Sequence, residues 1–539
     1  MGDALPPDIE AIDDIKALRA MVTQLVEMGR KAQETVAQQT RSIDALTATI
    51  DHQTATIERQ TATIEQKDDR IHQLEQMLFG KKSEKLAPVD REVKKRRRKK
   101  DESQAARDKE RARQKRKKRA AAKKKLAEEV REHQVADDDC RCPVCGGDTY
   151  TTMGWEESAE YEYVPAHFKK ILHRREKKAC TCGQHVLTGP APVRVSDGVL
   201  YGPGMHAHVA VSKCLDSIPF YRLAKQLERV GVPMARSSIC DMFHRSAGLL
   251  APLYERILEL VPQEQYVNAD ETRIKVQAEE KTREAWMWTF IGGPFVAYAF
   301  SPSRSGETPA RILGDSGGVL QVDQYSGYNR VTTPDKRRRA GCIAHARRKF
   351  HEARDKAPEL VDHVLEQLLE LYVVEYDAAD EKLLGTDKHL EMRRVRSKPI
   401  LEDLKERLDA EAPNHLPKGP VAKAIGYFTG NYDALKLFLD DPNVPLDNNV
   451  SERQLRLIAL GRKNYLFVGH DVAGRNLAIM QTLVATCVAN DVNPQDYLAD
   501  VLIRIQTHPQ SRIDDLLPHL WERPPPPGEG DQDLEESGE

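Results

Sequence analysis

The sequence predicts a multidomain α/β chain, and three observations carry that prediction. Isoleucine returns every seven positions at Ile43, Ile50, Ile57, Ile64 and Ile71, with Leu78 closing the series. Five cysteines crowd between Cys140 and Cys182. A block from Gln265 to Asn329, rich in aromatic and β-branched residues, separates two long helical stretches. The chain has 539 residues, 40% hydrophobic and 31% charged, with a formal net charge of −2. That length suits about three or four domains with real cores.

The isoleucine series places residues 12–79 in helix and residues 1–80 in a coiled-coil segment that joins copies of the chain. "TATIDHQ", "TATIERQ" and "TATIEQK" are successive heptads. With Ile at a, the d positions fall on Leu46, Gln53, Gln60, Lys67 and Leu74. An Ile seam drives helix pairing, while polar d residues weaken it and fix its register. A solvated single helix is the alternative. Residues 81–135 follow as a basic linker. From Arg91 to Lys125 stand 20 Lys or Arg against 5 Asp or Glu, so near-neutrality of the whole hides a polycationic run. Such a run attracts nucleic acid or simply stays solvated. No stretch is apolar for the roughly 18 residues a membrane span needs. The first residues lack the basic flank and apolar core of a signal peptide. The expectation is a soluble cytoplasmic protein, nucleoid-associated when bound to DNA.

Residues 136–198 read as a zinc-binding unit. Cys142 and Cys145 form a C-x-x-C knuckle with glycines for the tight turn, and Cys180 and Cys182 supply a second pair. Four thiolates suit tetrahedral structural zinc. Cys140 competes with Cys142, and His167 or His173 can replace a cysteine. Residues 199–261 read as helical and helix-turn-helix-like. Tyr221 to Arg229 is one helix, Gly231 and Pro233 a stop, and Ser237 or Ser238 the cap of the next. A DNA-reading second helix fits this pattern, as does any helical hairpin.

Strand patterns run from Gln265 to Asn329, and residues 345–440 return to helix. Asp270 lies on the first strand, Asp323 ends the strand in "GVLQVDQYSGY", and Glu452 opens a helix in "PLDNNVSERQLR". Asp447, Asn448 and Asn449 before it are good N-cap residues. Two strand acids and a helix Glu are what a cage for two divalent cations needs, because Mg²⁺ prefers oxygen ligands. Glu271 is a substitute ligand by type, but strand alternation turns it to the opposite face from Asp270. His345, Arg347, Arg348 and Lys349 in "CIAHARRKF" are candidates for DNA phosphate contact, as are Arg462, Lys463 and Asn464. A solvated basic helix face is the plain alternative. Residues 489–523 read as a C-terminal helical segment and 524–539 as a disordered acidic tail.

The order of these motifs resembles that of insertion-sequence-66 family transposases with a DDE-type core. "LFGKKSEK", "CPVCGG…CTCG", "PFYRLAKQLERVGVPMARSSI", "NADET", "VDQYSGYN", "CIAHARRKF", "DNNVSERQLR" and "GRKNYLFVGHDVAGRNLAIM" carry the resemblance. It implies a ribonuclease-H-like catalytic domain over residues 262–488 with a helical insertion at about 352–440, and Asp270, Asp323 and Glu452 as the catalytic triad, holding two Mg²⁺ or Mn²⁺ ions. It implies cleavage at the ends of an insertion sequence, strand transfer into target DNA, and small accessory proteins as partners. A zinc-containing DNA-binding protein with an inert nuclease-like core is the competing reading. A nuclease that cuts without joining is a third.

Overall fold

The computed structural model describes residues 15–78, a few positions between 92 and 117, residues 168–179 apart from 169, 186–195 and 200–523. The five clustered cysteines, His167, most of the basic run and the acidic tail lie outside the described residues.

Helix α1 (Ile15–Leu78) is continuous over 64 residues. Its threonines satisfy their hydroxyls within the helix, as when Thr47 Oγ1 donates to the Ile43 carbonyl at 2.9 Å and Thr56 Oγ1 to His52 at 2.8 Å. Ile43, Leu46, Ile50 and Ile57 are exposed on this single copy. Strands β1 (Lys177–Ala179) and β2 (Val186–Thr188) form an antiparallel hairpin on either side of the Cys180–Cys182 segment.

Three helices follow: α2 (Pro203–Cys214), α3 (Phe220–Arg229) and α4 (Arg236–Leu260). The helical hairpin expected here forms, but α4 runs for 25 residues and buries Ile239, Phe243, Leu250 and Ile257. These side chains share one core with Val267, Phe290 and Tyr298 of the strands that come next. The expected boundary near residue 261 therefore falls inside a single packed unit. A helix buried along most of its length presents only its first turns to a partner.

The sheet contains β3 (Tyr266–Gln277), β4 (Thr282–Gly292), β5 (Phe295–Ser301), then helix α5 (Glu307–Leu313), β6 (Val319–Gln321) and β7 (Arg338–Ala340). Strand order is β5-β4-β3-β6-β7. The first three strands are an antiparallel meander, and β6 and β7 run parallel to β3. Gly293 turns β4 into β5 at φ +52°. That is left-handed space where a side chain is strained. Arg337 is fully buried and donates to the carbonyls of Pro262, Glu264 and Val319, joining β6 to the chain before β3.

Helices α6 (Ile343–Glu352), α7 (Pro358–Asp380), α8 (Asp387–Met392), α9 (Lys398–Glu411), α10 (Pro420–Gly430) and α11 (Tyr432–Leu435) occupy the span of the expected insertion. They build a second core around Phe350, Leu368, Leu404 and Phe428. Chain order then gives α12 (Asn449–Tyr465), α13 (Asp471–Ala489) and α14 (Pro494–Arg504).

Helix α13 is long and apolar enough to cross a membrane by composition, against the expectation that no such stretch exists. Two-thirds of it is buried inside the protein, so its apolarity serves the core. It lies along β5, the sheet's edge. The Tyr298 and Val296 amides donate to Thr482 Oγ1 at 2.8 Å and Thr486 Oγ1 at 3.2 Å, so the edge N–H groups find partners. Thr482→Val keeps the shape and strands the buried Tyr298 amide. The expected loss is about 1–3 kcal/mol, read as a lower melting temperature. An unchanged melting temperature would count against this role.

Candidate active site

Strands β3 and β6 pair in parallel through Asn268↔Gln321. Two residues onward on each chain come Asp270, still on β3, and Asp323. Strand β6 ends at Gln321, so Asp323 sits two residues past the strand instead of closing it. The departing loop is fixed from beneath. The Arg339 guanidinium donates to the carbonyls of Asp323 and Tyr325 at 2.8 and 2.7 Å, and Asp323 Oδ1 accepts from the Tyr325 amide at 2.9 Å.

Glu452 sits in the first turn of α12, and its placement depends on Asn448. Of the three cap candidates, Asn448 stands at the N-cap position but its side chain makes no capping bond, and it is Asp447 that accepts from a first-turn amide. It reaches the sheet instead. Asn448 Nδ2 donates to the Ala269 carbonyl at 2.7 Å and Oδ1 accepts from Asn268 Nδ2 at 3.0 Å. Its backbone amide donates to Cys342 Sγ at 3.3 Å, and its carbonyl accepts from the Glu452 amide at 3.3 Å. With 1% of its surface exposed, this one side chain ties the helix of Glu452 to the strand of Asp270. Asp447 makes the local turn, accepting from the Asn449 amide at 3.1 Å and from the Tyr372 hydroxyl of α7 at 3.0 Å.

Burial pushes the Asp270 carboxyl up to about 7, and the charges of Glu271, Asp323 and Glu452 add to the shift. The three acids named from the sequence thus act on one another electrostatically. Glu271 turns away, as alternation requires. It accepts from the Tyr328 hydroxyl at 2.7 Å and from Arg304 at 2.6 Å. Arg304 in turn lies over the Tyr325 and Trp286 rings, 4.0 and 4.8 Å from their centroids.

The basic candidates separate. Arg348 and His345 flank Glu452, with nitrogens 3.4 and 3.8 Å from Oε1. Burial lowers the His345 pKa, and the Arg348 charge lowers it further, favouring the neutral ring. Its Nδ1 is buried without a hydrogen-bond partner. Arg347 does not join them: it is buried and pairs with Glu92 at 2.5 Å. Lys349 is exposed, 5.8 Å from the Tyr427 ring centroid. At the far end of α12, Arg462 donates to the Arg273 carbonyl, Lys463 is exposed, and Asn464 donates to the Ser217 carbonyl at 3.1 Å.

An all-carboxylate donor set suits a hard divalent cation. A desolvated Asp270 crowded by other acids is the setting in which such a cation is favoured. Among the described residues, however, no three His, Cys, Asp or Glu side chains are grouped closely enough to hold a metal ion. Glu452 leans on Arg348, and Asp323 on its own loop, so closing around a cation requires both to turn.

Comparison with known proteins agrees with the motif order. The family described as "Transposase IS66 family" matches residues 198–476, and "IS66 C-terminal element" matches residues 482–519. "Zinc-finger binding domain of transposase IS66" matches residues 139–183, the cysteine-bearing segment. Three proteins of Sinorhizobium fredii (strain NBRC 101917 / NGR234), each described as uncharacterized, are similar along most of their length. Protein y4hP is 31% identical over 73% of this chain and 75% of its own. Protein y4qI is 33% identical over 72% and 75%, and y4jD 31% over 70% and 78%. The chain belongs to the IS66 family of transposases and carries that family's zinc-finger domain.

Proposed function

We propose that the protein is a DDE-type DNA transposase that cleaves the ends of an insertion sequence and transfers the freed strand into target DNA. The observation that supports this best is that Asp270 and Asp323 each follow the last paired positions, Asn268 and Gln321, by two residues, while Asn448 latches the helix of Glu452 to the strand of Asp270. The meander followed by two parallel strands, with one acid on the first and another just past the fourth, fits a ribonuclease-H-like core.

In this reading Asp270, Asp323 and Glu452 would hold divalent cations, which would supply the charge that activates water or a 3′-hydroxyl and stabilises the leaving oxygen. Arg348, exposed and 3.4 Å from Glu452 Oε1, would bind a DNA phosphate beside the acids. Neutral His345 stays beside them and donates or accepts a hydrogen bond. One set of acids serves both hydrolysis and transesterification, with no covalent protein–DNA intermediate. Cys142, Cys145, Cys180 and Cys182 hold the zinc of the finger domain, and the α1 heptads join copies through their exposed Ile stripe.

The competing reading, a DNA-binding protein with an inert core, draws on the ungrouped state of the acids. An assay on duplexes bearing the element's terminal repeats, with Mg²⁺ or Mn²⁺, separates the two. The transposase reading expects nicking at the end and joined products. Binding without cleavage under either metal, in the presence of any accessory proteins encoded beside it, would favour the inert core.

A further inference from the structure

The far end of α12 carries a feature that catalysis by the acids leaves unused. Leu466 sits at φ +65° and ψ −48°. The Phe467 amide donates back to the Tyr465 carbonyl at 2.7 Å, closing a γ-turn of the rare, strained hand. Strain of this kind persists only where the surroundings enforce it. Here the reward is not burial: Leu466 is 63% exposed and Phe467 38%.

The surroundings enforce the turn from both sides. Before it, the Tyr465 ring folds over Gly461, where an added Cβ would stand 2.5 Å from the Tyr465 hydroxyl, and the Lys213 amine lies 3.2 Å from the ring centroid. After it, Val468 is bonded to β3: its amide donates to the Lys275 carbonyl, and its carbonyl accepts from the Gln277 amide, both at 2.9 Å. Two bulky apolar side chains are therefore held out of the core on a rigid mount. Arg462 and Lys463 precede them on α12, and exposed Arg273 and Lys275 stand on the strand beside them. Arg273 pairs with Glu284 and Arg283 with Asp471, while exposed Glu279 and Glu280 of the β3–β4 turn are set against the cations Lys275, Lys281, Arg462 and Lys463.

We propose that Leu466 and Phe467 are a wedge that enters the DNA bound at the acids and unstacks a base step. This rests on the acids being the phosphodiester site. Cationic rims attract the phosphate backbone, and apolar side chains on such rims insert between base pairs. The mount sets the distance. Asp270 and Lys275 are five residues apart on one strand, about 17 Å at strand rise. That is about five base pairs along a duplex.

The test uses the full zinc-loaded chain, without added Mg²⁺ or Mn²⁺, on a 60-base-pair duplex of the element's terminal sequence, with 2-aminopurine placed singly at each of the ten positions beside the cleavage point. Withholding those cations, and not chelating, keeps the readout independent of catalysis while the finger keeps its zinc. The wild type is expected to raise fluorescence severalfold at positions about four to six, and Leu466→Met to retain the signal. The Leu466→Gly/Phe467→Ser variant, whose glycine accepts the turn without strain, is expected to bind the duplex and lose it. No signal in the wild type, or the same signal in that variant, overturns the wedge. So does an unchanged signal with a change in oligomeric mass by light scattering, which would make the patch a protein contact. Asp270→Asn separates the two ideas. If it still cleaves in Mg²⁺, the acid assignment fails and the placement of the wedge relative to the acids fails with it; if cleavage is lost while unstacking persists at the same positions, both stand.

Discussion

Asp270→Asn is expected to reduce strand cleavage by roughly a thousandfold while leaving DNA binding intact. Asparagine keeps the shape of the side chain and removes the charge that holds a cation. Charge stabilisation by a bound metal is worth several kcal/mol, and about 4 kcal/mol is a factor of a thousand. The same substitution acts with opposite sign on the stability of the metal-free protein. Burial raises the folded pKa of Asp270 to about 7, above the unfolded value near 3.9. The stability linked to its proton is complete below about pH 4 and is lost as pH rises through 7. Asparagine has no such proton to lose. Without added Mg²⁺ or Mn²⁺ the variant should melt above the wild type at pH 8, and the gap should narrow as pH falls toward 4. Equal melting at pH 8 would mean that Asp270 is not held desolvated among other acids. Wild-type cleavage by the variant would remove Asp270 from the site.

Asn448→Ala is expected to cost about a hundredfold in cleavage although it removes none of the three acids. Its amide bonds both Asn268 and the Ala269 carbonyl, so truncation leaves two polar groups of β3 unpaired. Each unpaired buried group costs about 1–3 kcal/mol. The larger consequence is positional. Glu452 lies one helical turn beyond Asn448, and a 1 Å misplacement of a catalytic group costs about a hundredfold. Mn²⁺ affinity, followed by electron paramagnetic resonance, should fall with cleavage, while zinc content and DNA affinity stay constant. A stability loss with normal Mn²⁺ affinity and normal cleavage would reduce Asn448 to a packing residue. Tyr372→Phe, which removes one bond to Asp447, should show a smaller loss in the same direction.

Much of this site is legible in the sequence because its signals are local. Asp270 sits in a strand-type run, and the polar residues before Glu452 mark a helix start. Their register across the sheet is not local, and Asn448 shows why. Its composition signal is that of an N-cap, and only a strand 180 positions away reveals that its amide goes elsewhere. Arg347 fails for a related reason. In "HARRKF" it is indistinguishable from Arg348, but helical periodicity carries it to the buried face beside Ala346 and Phe350. The α3–α4 hairpin was recognised, but hairpin signals end at the turn, so they do not show that α4 continues into the core. Strand β6 was read too long because "GVLQVD" keeps an apolar alternation after its three-residue pairing with β7 has ended.

The sheet's two borders have a consequence for assembly. On one side the threonines of α13 occupy the outward amides of β5. On the other, the Gly341 amide just past β7 donates to the Ala434 carbonyl at 2.8 Å, within the helical insertion. A sheet bordered in this way offers little backbone for another chain to extend. On the proposed function, copies gathering on two DNA ends would be left with helix surfaces, such as the Ile43–Ile50–Ile57 stripe, and with the DNA itself as common ground. Strand-mimicking peptides should accordingly be poor at blocking their assembly, and competitors for that helical stripe better.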